Sequence, residues 1–116
     1  MERKYDLGVR TSRFGEEIID FCKKIPPGTI TNPLINQLVK CGTSVGANYS
    51  EADDAESKKD FKHKIGICKK EARETKFFIT MVIKAVPELR EKALPLWNEA
   101  KELHLIFNSI NNKLKG

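Results

Sequence analysis

The sequence has no apolar run approaching the roughly 20 residues needed to cross a bilayer, and residues 1–20 are charged with no apolar centre. Neither a membrane span nor a signal peptide is expected. Cysteine is scarce. Cys22, Cys41 and Cys68 are odd in number, lack CxxC spacing, and each stands where a small apolar side chain would serve. A disulfide framework is thereby excluded, and a reduced, cytoplasmic protein is the simplest expectation. The two histidines, His63 and His104, share no ligand spacing with each other or with any cysteine. No metal and no cofactor is expected. Long Val/Ile/Thr alternation is missing as well, which argues against a sheet.

What is present is a chain of 116 residues, 40% hydrophobic and 32% charged. That length and balance fit one soluble domain over residues 1–116 with a real core. Twenty-one Lys and Arg against sixteen Asp and Glu leave a net charge of +5, with a pI near 9.2. A basic excess permits nucleic-acid binding without requiring it.

Apolar spacing marks four helices. Phe14, Ile18, Phe21, Cys22 and Ile25 recur at intervals of three or four until Pro26, Pro27 and Gly28 stop the first. The second is expected to start with Asn32 as cap and Pro33 as first helical residue, with the stripe Leu34, Leu38, Cys41, Val45, Asn48 and Ala52. Ser57 followed by Asp60 opens the third as a capping box. Phe61, Ile65, Cys68, Ala72, Thr75, Ile79, Val82 and Val86 then repeat until Pro87. The fourth is expected to begin between Glu91 and Pro95, with Leu96, Ala100, Leu103, Phe107, Ile110 and Leu114 facing inward. Short connections between long helices imply antiparallel neighbours, so the fold class is all-α, an up-down-up-down four-helix bundle.

Residues 40–52, KCGTSVGANYSEA, put helix-weakening residues inside the second helix. On a helical wheel Gly42 and Gly46 share a side with Ile35 and Val39, where a GxxxG spacing admits a close neighbouring backbone. Gln37, Lys40, Ser44, Asn48 and Glu51 form a polar row on the other flank, with Glu71 of the third helix as a candidate partner. That row reads as a structural polar network, with Asn48 as a register-setting residue. A phosphate-binding loop would need lysine directly after its last glycine, and Gly46 is followed by Ala47. Ser44 as a nucleophile would need a histidine base, and neither histidine stands in a recognisable arrangement with it. No catalytic residue is assigned, and the protein is expected not to be an enzyme.

The run QLVKCGTSVGANYSEA, then ESKKDF and KKEARET, resembles the four-helix-bundle proteins encoded in intervening sequences of 23S ribosomal RNA genes. This superfamily is thought to include the accessory protein of diversity-generating retroelements. The resemblance extends from Val9 and Arg10 through EAKELHLIF. It implies a compact bundle assembling as a homo-oligomer, a ring-shaped pentamer. In the retroelement branch it also implies RNA or DNA and a reverse transcriptase as partners. Lys40-Cys41 stands where the family usually has Arg-Ser, and Phe78-Ile79 where it usually has an aromatic-leucine pair. A lysine cannot reproduce a bidentate arginine contact.

On the third helix Lys58, Lys62, Lys69, Arg73 and Lys76 fall within about 80° of one another. Such a ridge suits a phosphate backbone, with little sequence preference and strong salt dependence. Phe77 is the one aromatic interleaved with it on that helix, so base stacking is not expected. Ile67, Phe78 and Met81 lie opposite the core stripe, an apolar second face suited to an oligomer interface, against Trp97 or the Gly42/Gly46 surface. The sequence therefore reads as an oligomeric, nucleic-acid-associated accessory protein. The alternative is a protein-interaction scaffold whose basic ridge serves solubility alone.

Overall fold

Asp6 starts the first helix by accepting a hydrogen bond from the Val9 N–H at 3.1 Å, satisfying one of the free donors of the first turn. The computed structural model describes residues 6–115, so residues 1–5 and 116 of the expected domain lie outside the described residues. The first helix, α1, runs Leu7–Cys22. The second, α2, runs Thr31–Asp53, the third, α3, Lys58–Ala85, and the fourth, α4, Arg90–Lys115. A short 3-10 turn, Pro87–Leu89, leads into α4. The described residues form an all-α, antiparallel up-down-up-down bundle of 44 × 29 × 21 Å. In it α1 packs on α2, α2 on α3 and α3 on α4, while the α1–α4 seam is thinner.

Two helix starts differ from expectation. Ile30, not Asn32, precedes α2, and it makes no side-chain cap. The Asn32 Oδ1 instead accepts from the Gly28 N–H at 3.1 Å, tying the preceding turn to the helix. Pro33 is tolerated inside the first turn because its missing N–H would have no intrahelical partner there. α4 begins at Arg90, which places Pro95 one turn inside the helix. The 3-10 turn after Pro87 supplies the reversal that a longer loop was expected to make. Ser57 does cap α3 as expected, its hydroxyl accepting from the Asp60 N–H at 3.0 Å.

The predicted stripes meet along the bundle axis. Phe14 and Ile18 of α1, Leu38 and Val45 of α2, Ile65 and Ile79 of α3, and Leu103 and Phe107 of α4 are buried. Each contributes on the order of 1.5–3 kcal/mol of apolar burial. Two fully buried positions are threonines. The Thr11 hydroxyl donates to the Leu7 carbonyl at 2.6 Å and that of Thr75 to the Glu71 carbonyl at 2.7 Å, so neither enters the core unsatisfied.

Residues 40–52 are helical throughout, and the two glycines mark where α1 crosses. A Cβ on Gly42 would lie 2.8 Å from the Ile18 Cγ2, and one on Gly46 would lie 3.1 Å from the Thr11 carbonyl oxygen. Helix α1 thus occupies the glycine surface, which is not available to a second subunit. The thinner α1–α4 seam is held by charge. Arg10 donates from Nε and Nη2 to the two carboxylate oxygens of Glu99 at 2.7 and 2.8 Å, and from Nη2 to Glu102 at 2.8 Å.

Candidate nucleic-acid interface

The heptad spacing that buries Ile65, Cys68, Ala72 and Thr75 fixes the orientation of the cations beside them. Lys58, Lys62 and Arg73 are exposed, while Lys69 and Lys76 are half-buried. Lys62 and Lys76 lie beside α4. The Lys76 Nζ sits 5.7 Å from the Trp97 ring centroid, and the Lys101 Nζ sits 5.8 Å from the same ring. One turn beyond Lys101 is His104, half-buried and held below its ordinary value of 6.5 by desolvation first, then by Lys76, Lys69 and Arg73. Further along, Lys59, Lys62, His63, Gly66 and Lys70 of α3 form a shallow depression with Asn111 of α4. Trp97, His104 and Asn111 therefore meet α3 in antiparallel order, at Lys76, at Arg73 and Lys69, and at Lys62.

An ammonium over an indole is attracted to the ring face, by about 0.5–1 kcal/mol when exposed and more when dry. Lys76 and Lys101 are thereby gathered over one ring, and their positive charge is brought to the same stretch of surface. The electrostatic result can be read at His104, where nearby cations disfavour a further proton. Sequence reasoning placed the ridge on α3 alone and found no aromatic on it beyond Phe77. The structure adds Trp97, Lys101 and His104 from α4. Their spacing of three to four residues was visible, but which helix they face was not.

The polar row of α2 is resolved residue by residue. The Ser44 hydroxyl donates to the Lys40 carbonyl at 2.6 Å, and the Asn48 Nδ2 donates to the Ser44 carbonyl at 2.9 Å. Both bonds stay within α2. Asn48 is half-buried, not sealed in the core. Glu51 pairs with Lys64 of α3. Gln37 lies with Arg73, Glu74, Phe77 and Phe78 in a shallow depression between α2 and α3. Glu71 is half-buried, and desolvation, then Glu74, push its carboxyl above the usual range, with Lys70 and Lys40 opposing.

Ile67, Phe78 and Met81 are each half-buried. Beside them Phe77 is 55% exposed and stacks edge-on against Phe78, with centroids 5.1 Å apart. The three thiols are buried and unpaired. Desolvation pushes Cys68 up to about 12 and Cys22 up to about 11. A thiol held protonated is a poor nucleophile. Among the described residues, no group of three or more His, Cys, Asp and Glu side chains could hold a metal ion, and no helix is long and apolar enough to cross a membrane.

A family model described as 23S rRNA-intervening sequence protein matches residues 4–114. Among solved structures, a protein of unknown function from the S23 ribosomal protein family of Bacteroides thetaiotaomicron VPI-5482 is similar, with a TM-score of 0.78 and 28% sequence identity, covering 91% of this chain and 95% of that one. No curated protein matches.

Proposed function

We propose that this chain, which belongs to the 23S rRNA-intervening sequence protein family, is a non-enzymatic, cytoplasmic accessory protein that binds nucleic acid electrostatically through α3. The observation that carries the reading is the gathering of cations from two helices at one place, with the Lys76 and Lys101 ammonium groups 5.7 and 5.8 Å from the Trp97 ring. Cations held this close on a surface repel one another, and a phosphate backbone relieves the repulsion by replacing small counterions. Lys58 and Lys62 extend the same line toward the start of α3, so the row spans roughly 27 Å of helix. Four of its five cations are lysines, point charges without the fixed fork that reads base edges, so binding carries little sequence preference. Fluorescence anisotropy of labelled single-stranded RNA and DNA across a salt series tests it. Affinity should fall steeply as salt rises, and no binding at low salt would exclude the reading.

Self-association belongs to the same proposal. Phe77, exposed beside the half-buried Ile67, Phe78 and Met81, gives α3 a second apolar side that the bundle leaves partly open. Exposed aromatics gathered this way are typical of interface cores. A homo-oligomer, with the pentamer as its expected form, would cover that side and align several basic ridges. Light scattering that returns only the 13.2 kDa monomer would exclude assembly.

A further inference from the structure

We infer that the α3–α4 seam seats a single phosphodiester strand between two walls, Lys69, Arg73 and Lys76 on one and Lys101 and His104 on the other, and that binding there is coupled to proton uptake by His104. This rests on the nucleic-acid reading above and makes it more specific, since a ridge on one helix needs no contribution from the next.

Three observations carry it. First, the cations come from both helices. Lys76 and Lys101 sit over the same Trp97 ring, at 5.7 and 5.8 Å, so the two walls meet at a defined point. The axes of packed helices lie about 8–10 Å apart, so cations on the outer edges of the two helices can bracket a phosphate lying along the seam. Second, α3 carries Gly66 in the shallow depression lined by Lys62 and Asn111, where an added Cβ would meet nothing within 4 Å. No packing contact accounts for a glycine at that point, and its bare backbone leaves room for a strand to approach. Third, the Asn111 Oδ1 at that end is buried and accepts no hydrogen bond among the described residues. The seam therefore has an unfilled polar position beside Lys62.

Proton coupling follows from the neighbours of His104. It is half-buried on α4, one turn from Lys101, which shares the Trp97 ring with Lys76 of α3, and Lys76, Lys69 and Arg73 disfavour its proton. In the free protein burial and these cations disfavour the imidazolium. A phosphate at the same place cancels their field and favours the imidazolium, so its pKa is higher in the complex than in the free protein. Affinity therefore rises as pH falls through the interval between the two values, and becomes flat below the lower one. With the Lys76 and Lys101 ammonium groups over the Trp97 ring, the contacts go to the strand's backbone.

The chain has one tryptophan and two histidines, which makes the test direct. Oligo-U and oligo-dT of about 15 nucleotides are titrated into the full chain, reading probe anisotropy and Trp97 emission together. The emission should change with the same midpoint as the anisotropy for both probes. Lowering the pH from about 7.5 to about 5.5 should tighten binding by about fivefold. His104→Gln should remove that gain. Lys101→Ala should lower the slope of log affinity against log salt by about 0.7. Binding seen by anisotropy with Trp97 emission unchanged, or a pH gain that survives His104→Gln, overturns the two-walled seat and leaves the broader reading standing. No anisotropy change with either probe overturns both.

Discussion

Three glycines in helices of this bundle have different physical reasons, and single substitutions separate them. A methyl group at Gly42 would collide with the branched, fully buried Ile18. Gly42→Ala should therefore lower stability by about 1–2 kcal/mol despite the gain in helix propensity. Gly46→Ala meets the Thr11 backbone at 3.1 Å and should be destabilising by less, since α1 need shift only slightly. Gly66→Ala meets nothing and should raise stability by about 0.5–1 kcal/mol. Urea unfolding of the three variants checks the order. A destabilised Gly66→Ala would mean that the α3–α4 seam is packed more tightly than described.

Glu71 gives a pH-dependent case at the same scale. Its carboxyl is raised by desolvation and by Glu74, so the folded state disfavours its charge. The penalty is full above the folded value and vanishes below the unfolded value, near 4.5. Glu71→Gln should therefore be more stable than the parent at neutral pH, with the difference closing as pH falls below about 4.5. Thermal melts at several pH values read the sign directly.

At the scale of helices, the α1–α4 seam depends on charge where the other seams depend on apolar contact. Arg10 holds Glu99 through two nitrogens and also reaches Glu102, with its side chain 27% exposed. A bidentate, half-buried pair is stronger than a surface pair, though solvent still screens it. Arg10→Ala should lower stability by about 1 kcal/mol, and a double-mutant cycle with Glu99→Gln should show coupling of similar size. Additive effects in that cycle would mean the pair contributes nothing to docking α1.

The same seams explain what the sequence made legible. The α3 stripe from Ile65 to Val82 and the Ser57 cap depend on residues close in sequence, and both lie where spacing puts them. Gly42 and Gly46 were readable as a close approach because two glycines four apart have few other uses in a helix. The neighbour they admit was not readable, nor was the Arg10–Glu99 pair, whose members stand 89 residues apart. A helical wheel gives the face of each helix and says nothing about which helix covers it. For that reason the ridge on α3 was legible while Trp97 and His104, which complete it from α4, were not. Pro95 misled for a related reason. The favoured first-turn position for proline placed the start of α4 too late, because the 3-10 turn after Pro87 already reverses the chain.

For the whole molecule, the central question is whether the +5 net charge acts as a diffuse attraction or through one face. A charge-matched pair of triple variants separates these. Lys69→Gln/Arg73→Gln/Lys76→Gln removes three cations from the α3 ridge. Lys23→Gln/Lys24→Gln/Lys92→Gln removes three exposed cations elsewhere, leaving the same net charge. Single-stranded binding by anisotropy across a salt series is the decisive measurement. The ridge variant should lose about 2 from the slope of log affinity against log salt, while the other variant keeps the parent slope. Equal losses in the two variants would contradict a dedicated face on α3.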